Sequence, residues 1–351
     1  MLSEITLIDF LSKNSSHLNF NKSFIQAIPA EYDIHNFIGH QSHYLLLETS
    51  EIPSKAIRNE NFNWAIRIIL IFSKLLFNSK KNLTILAFEN YIFPSLALLF
   101  FPFFLRKHFT MVVHNNVPAL MKRGIKTIPF AVFVKLFKPQ LICLTKKIKD
   151  EMDKLGYNKN TTWIPHMNYN HINKQSFKGT PVPFPSNKIN IVLLGRQSKL
   201  FVDHTLLKIN DQNLQNLQFH VFHNEIKRVN TPNIQFHKKR PSQEEYQSIL
   251  QFADYCFFPD LNVDFRPSGI LLDCISATCP IIAPRSGHFK EFENEKIGWF
   301  YHEETLTSVL DNLNISQTKR NQFLRENFIQ SAANTSIELF SKNLKTIYSR
   351  F

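Results

Sequence analysis

The chain has 351 residues, 44% of them hydrophobic and 13% aromatic, including 34 Phe but only 8 Gly, and it carries a formal net charge of +13. That length exceeds one ordinary core and fits two domains of roughly 150 to 190 residues. The aromatic content and the scarcity of glycine exclude a disordered or linker-rich protein. Cys143, Cys256, Cys274 and Cys279 stand in apolar surroundings, and their spacing matches neither a zinc knuckle nor a redox dithiol. They read as buried free thiols in a reducing compartment. The opening residues, MLSEITLIDFLSKNSS, place acids where a signal peptide needs bases, which argues against export.

The first half alternates short apolar strands with helices, the pattern of a doubly wound parallel sheet. Strands are expected at Ile5–Phe10, Asp33–Ile38, Leu83–Phe88, Phe109–His114, Gln140–Leu144 and Thr162–Ile164. Helices are expected at Leu18–Ile28, Asn63–Phe77, Ile92–Leu105, Pro129–Phe137 and Lys146–Leu155. The most apolar run, Tyr91 to Leu105, holds two prolines and is shorter than the roughly 20 residues a membrane span needs, so it is a buried helix or an interfacial one. From Met167 to Lys188 the composition turns to Asn, Pro, Lys and Ser, with Pro181, Pro183 and Pro185 barring helix or central strand.

After that linker the alternation restarts. Strands are expected at Ile189–Leu194, Gln218–Phe222, Ile234–Phe236, Tyr255–Phe258, Pro280–Ala283 and Trp299–Tyr301, with helices Asp203–Ile209, Gln243–Phe252 and Ser268–Ala277. Beyond Glu303 the chain turns helical and ends in Ile337–Tyr348. The expected organisation is therefore α/β. Residues 1–170 and 188–335 form two Rossmann-like domains facing across a cleft, 171–187 link them, and a terminal helix occupies 336–351. Open sheets of this kind bind ligands beyond the carboxyl ends of their strands.

Charge is uneven. Between Asn90 and Lys149 there is no acid, while Arg106, Lys107, Lys122, Arg123, Lys126, Lys135, Lys138, Lys146, Lys147 and Lys149 are basic. Such a stretch is either a set of solvated helix faces or an attractor of anionic headgroups, a pyrophosphate-linked acceptor or nucleic acid. No helix-turn-helix, zinc-finger or RRM pattern accompanies it, which disfavours nucleic acid.

The most informative stretch runs from Ala253 to Tyr301. A strand ends at Pro259, a loop carries Arg266, and a helix opens at Ser268-Gly269 with free amides and the positive end of its dipole. An arginine before a helix N-terminus is an anion site suited to a diphosphate. Asp273, about one turn further, is placed to accept hydrogen bonds from ribose hydroxyls.

Ala253-Asp254, Phe258-Pro259, Arg266-Pro267-Ser268-Gly269, Asp273, Cys279-Pro280-Ile281-Ile282-Ala283 and Ser286-Gly287 follow one another in an order that resembles the donor-binding region of GT4-like GT-B glycosyltransferases. The E-x7-E pattern of that family places its first acid at Phe265, so that acid is absent here. Ile191 to Arg196, a strand ending in Gly195-Arg196, followed by Lys199, resembles the loop whose cations neutralise the leaving pyrophosphate. Fixed cations suit that task because glycosyl transfer builds charge on the diphosphate. Val113-His114-Asn115 resembles the element whose histidine faces the donor sugar, the alternative for His114 being a structural histidine. Glu89, at the end of the preceding strand, is an acceptor-binding group, a base or a helix-capping carboxylate. Trp163 to His166 resembles the segment preceding the hinge.

The resemblance implies a retaining hexosyltransferase with a nucleoside-diphosphate sugar as donor and a lipid-linked or polysaccharide acceptor, in bacterial surface glycan synthesis such as capsule or lipopolysaccharide. The expected diphosphate grip is Gly195, Arg196, Lys199, Arg266, Ser268 and Gly269, with Asp273 at the ribose and His114 and Glu89 catalytic. With no D-x-D triad and no metal spacing of His and Cys, no metal and no other cofactor is expected. The free cysteines and the opening residues set the expectation of a cytoplasmic protein, and the basic stretch sets the expectation of peripheral docking on the inner face of the plasma membrane. The rivals are a GT-B sugar-nucleotide epimerase and an inactive membrane-associated scaffold.

Overall fold

The structure, a computed structural model, describes residues 3–13, 17–48, 52–57, 63–88, 91–113, 117–122, 124–168, 182–195, 216–222, 232–237, 241–259, 265, 267–315 and 323–350. By its contacts the chain divides into two compact units. The first comprises Met1–Met167, Phe265–Pro267 and Ser336–Phe351; the second comprises Asn168–Asp264 and Ser268–Thr335.

The first unit is built on six parallel strands: β1 (Ser3–Ile8), β2 (Tyr32–Ile38), β3 (Asn82–Phe88), β4 (His108–Val113), β5 (Gln140–Cys143) and β6 (Thr161–Trp163). Their order is β2-β1-β3-β4-β5-β6, so the winding direction reverses between β1 and β3. After their first residues the middle strands β3 and β4 are buried, and they are apolar apart from a single threonine each, Thr84 and Thr110, as expected where both faces of the sheet are covered. One face carries α3 (Trp64–Leu76), α4 (Ile92–Leu99), α5 (Phe101–Phe104), α6 (Val117–Met121), α7 (Ile128–Phe137) and α8 (Lys146–Met152), following α1 (Leu18–Gln26) and α2 (Gln41–Leu46) in the chain. Phenylalanine fills this core: Phe93, Phe104, Phe109 and Phe133 pack as tilted and edge-on pairs 5.2–6.0 Å apart. Such pairs add to simple area burial.

The second unit repeats the plan with β7 (Ile189–Leu194), β8 (Leu217–Phe222), β9 (Ile234–His237), β10 (Tyr255–Phe257), β11 (Ile281–Pro284) and β12 (Gly298–Tyr301). Its order is β12-β11-β10-β7-β8-β9, all parallel. This is the dinucleotide-fold order, with the reversal between β7 and β10. Helices α9 (Gln243–Phe252) and α10 (Gly269–Ala277) lie against it, and α11 (Leu306–Ile315) and α12 (Phe323–Asn334) follow. Helix α9 begins with a capping box in which Ser242 Oγ accepts from Glu245 N–H and Glu245 accepts in return. The last helix, α13 (Ile337–Tyr348), belongs to the first unit. There Phe340 sits edge-on to Phe24 at 5.6 Å, and Tyr348 Oη lies 3.1 Å from Thr84 Oγ1.

Several expected elements differ in extent. The single helix Ile92–Leu105 is two, α4 and α5, with Phe100 non-helical between them. Pro102 lies in the first turn of α5, and proline supplies no N–H to continue the preceding turns, whereas Pro94 in the first turn of α4 needs none. The helix expected to Leu155 is α-helical only to Met152 and then widens into a π-turn, Asp153–Tyr157, closed by Gly156 at φ 94. Helix α2 has no counterpart in the sequence reading, and Asp203–Ile209 lies outside the described residues. All four cysteines are buried and free. No helix among the described residues is long and apolar enough to cross a membrane.

Candidate functional site

In the second unit the reversal between β7 and β10 brings together two chain segments. Strand β7 is buried throughout and ends at Leu194, and the next residue, Gly195, turns the chain with a left-handed φ of 58. A Cβ built there would stand 3.7 Å from Ile270 Cδ1, an ordinary contact, so backbone conformation rather than crowding calls for glycine. The same contact shows that the end of β7 lies beside the first turn of α10.

Helix α10 starts after β10 and Pro259. Its N-cap, Ser268, has extended backbone, and its Oγ accepts from Leu271 N–H at 3.3 Å. In any α-helix the first-turn amides, here those of Gly269 and Ile270, have no intrahelical acceptor and point along the positive end of the dipole. The N–H of Ser268 itself donates to His288 Nδ1 at 3.0 Å. His288 is 2% exposed, and burial pushes its imidazole down to about 3. It is thus neutral at physiological pH, with Nδ1 an acceptor and the proton on Nε2. Gly287 at φ 54 turns the chain into this position, and Phe292 packs edge-on to the imidazole at 5.3 Å. His288 directly follows the Ser286-Gly287 element, and no spacing signal in the sequence singles it out.

Asp273 lies in the second turn of α10, where its Oδ2 accepts from Tyr246 Oη of α9 at 2.8 Å. Burial raises its carboxyl to about 6, and the Tyr246 hydrogen bond opposes that rise. Burial and the neighbouring carboxylate push the Tyr246 hydroxyl far up, so it remains a donor. Tyr246 is a second residue that the sequence did not single out.

The Ala253-Asp254 pair has a different place from the ligand end. Asp254 Oδ2 accepts from Asn190 N–H at 2.6 Å, tying the entry of β10 to the start of β7. Asn190 Oδ1 lies 3.1 Å from His220 Nε2, and His220 Nδ1 lies 3.3 Å from His237 Nε2. This chain joins three adjacent strands, with burial driving His220 down to about 3.

Of the residues expected to carry chemistry, Gly195, Ser268 and Gly269 are drawn together at the switch point, and Asp273 follows on the same helix. Arg196, Lys199, Arg266, His114 and Glu89 lie outside the described residues. Phe265, where the first acid of the family pattern would stand, is grouped with the first unit, packs on its core and lies under Lys147 Nζ at 5.8 Å. It fills an apolar position and brings no charge. Among the described residues no group of three or more His, Cys, Asp or Glu is placed to hold a metal ion.

No family model matches the chain, and no curated protein matches it in sequence. Solved structures do match along its whole length. HepE of Anabaena, solved with UDP and with UDP-glucose, covers 99% of this chain and 100% of its own at 12% identity, with a TM-score of 0.69 for the UDP complex. Sucrose-phosphate synthase from Thermosynechococcus elongatus covers 99% and 98% at 9% identity and TM-score 0.67. A glycosyltransferase from Rickettsia africae covers 99% and 98% at 12% identity and TM-score 0.66. At these identities the likeness establishes architecture: the fold is α/β with the two Rossmann-like domains of the GT-B type.

Proposed function

We propose that this chain is a glycosyltransferase that moves a sugar from a nucleoside-diphosphate sugar to an acceptor alcohol. The observation that carries the reading is the switch point of the second unit, where a left-handed Gly195 lies against the capped first turn of α10. Open α/β sheets bind nucleotides there, and helix amides stabilise a diphosphate. In the reaction the acceptor oxygen bonds to the anomeric carbon as its O–H proton passes to Glu89 acting as base, the bond to the β-phosphate oxygen breaks, and the electron pair leaves on the diphosphate. Gly195, Arg196, Lys199, Arg266, Ser268 and Gly269 are assigned to that developing charge and Asp273 to the ribose. His114 is assigned to the donor sugar and Glu89 to the acceptor.

UDP is the favoured nucleotide because HepE, similar over its full length, is solved with UDP and UDP-glucose. We further assign a retaining, GT4-like hexosyl transfer to a lipid-linked or polysaccharide acceptor in surface glycan synthesis, at the cytoplasmic face of the plasma membrane. A calorimetric screen of UDP, GDP, CMP and ADP against wild type and Arg196→Ala tests the donor site. Selective binding of UDP that the substitution weakens supports it. Absence of binding by all four sinks it and favours an inactive scaffold.

A further inference from the structure

Helix α7 is apolar on two sides. Phe130, Phe133 and Val134 face the core, yet Ile128, Val132 and Leu136 are 56%, 40% and 51% exposed, and Ile125 in the preceding turn is 86% exposed. Steps of three, four and four residues set these on one line along the helix. Scattered exposed aliphatics need no explanation, but a surface helix normally turns polar residues outward, and a continuous stripe marks a contact. The stripe does not end with α7. Phe137 packs on Phe101 of α5 at 5.7 Å, and around α5 Leu99, Phe103 and Leu105 are 73%, 57% and 59% exposed.

The charges divide in a way the sequence does not reveal. The lysines of α8 are engaged inside the unit: Lys146 lies over Trp163, Lys147 pairs with Glu151 and Lys149 with Asp153. Lys107 donates to the carbonyls of Asn78 and Lys80. Lys122, Lys126, Lys135, Lys138 and Arg106, beside the apolar stripe, are exposed and pair with no carboxylate among the described residues.

We propose that the outer face of α7, continued by the α4–α5 turn, docks this chain onto an anionic lipid bilayer, the stripe entering the acyl boundary and the lysines meeting the headgroups. The proposal rests on the membrane-side working position given above and assigns it a surface. A second copy would bring the same unpaired cations face to face, a like-charge arrangement that disfavours self-association. A nucleic acid would satisfy the cations but leave the aliphatic stripe in water.

The test is flotation of the full chain with phosphatidylcholine vesicles, with and without phosphatidylglycerol, for wild type, Lys126→Gln/Lys135→Gln and Ile128→Glu/Val132→Glu. All four positions are exposed, and unchanged unfolding midpoints confirm the fold. Wild type is expected to float only with phosphatidylglycerol. At about a fivefold contribution per lysine near such a surface, the lysine pair is expected to lower partitioning about thirtyfold. The glutamate pair is expected to abolish it. Equal flotation with both lipids, variants that float like wild type, or a wild-type dimer that Ile128→Glu/Val132→Glu dissociates would each overturn the proposal. UDP affinity, measured without vesicles, reports on the donor site separately, so either reading can fail alone.

Discussion

Replacing His288 with Leu and with Asn separates its role as acceptor from its role as filler. Leucine keeps most of the volume but leaves the N–H of Ser268, now held at 3.0 Å by Nδ1, without an acceptor in a position that is 2% exposed at the imidazole. A buried donor deprived of its partner costs about 1–3 kcal/mol, while a volume-conserving swap by itself costs less than about 1.5 kcal/mol. Asparagine carries Oδ1 close to where Nδ1 stood and restores the acceptor. His288→Leu is therefore expected to lose about 2 kcal/mol in urea unfolding and to bind UDP more weakly, because the N-cap of α10 is no longer held. His288→Asn is expected to recover most of the UDP affinity. Equal UDP affinities for the two variants would refute the positioning role, whatever their stabilities.

Acid lability follows from the same residue and from His220, both pushed by burial from an ordinary 6.5 down to about 3. The unfolded chain binds the extra protons, so their stabilising contribution is full above pH 6.5 and is lost as pH falls toward 3; urea titrations at pH 7 and pH 5 should differ by about 2 kcal/mol per histidine. Asp273 has the opposite sign. Its folded value of about 6 exceeds the ordinary 3.8, so its contribution declines as pH rises between them, and at pH 7 the charge is a burden. Asp273→Asn is expected to raise the ligand-free unfolding free energy by about 1–2 kcal/mol while weakening UDP, and a loss of stability at pH 7 would contradict this. At Gly298 an added Cβ would clash with the backbone carbonyl of Ile281 on the neighbouring strand, so Gly298→Ala is expected to cost about 1–3 kcal/mol. An unchanged urea midpoint would show that β12 yields freely.

Strand positions were legible because buried parallel strands are short apolar runs between turn-forming residues: β7 and α13 lie where their residues alone place them. Boundaries failed where one residue's stereochemistry intervened, as at Pro102 and Gly156. Helix α2 was missed because its six residues are too few for a helical period to register. In the candidate site, Ser268, Gly269 and Asp273 share a local pattern and were found together. His288 and Tyr246 were not, since they are 20 and 27 residues distant in the chain from their partners.

By itself the sequence determined two α/β halves, a glycine-ended first strand in the second half and a helix opening on Ser268-Gly269, because hydrophobic period and helix capping are local properties. Only the tertiary structure decided that strand order reverses between β7 and β10, that His288 holds the Ser268 amide, and that the described cations of one basic run divide into those engaged within the unit and those with no carboxylate partner among the described residues. Strand order, burial and ion pairing all depend on groups remote in the chain, and local residue pattern carries no record of which of them meet.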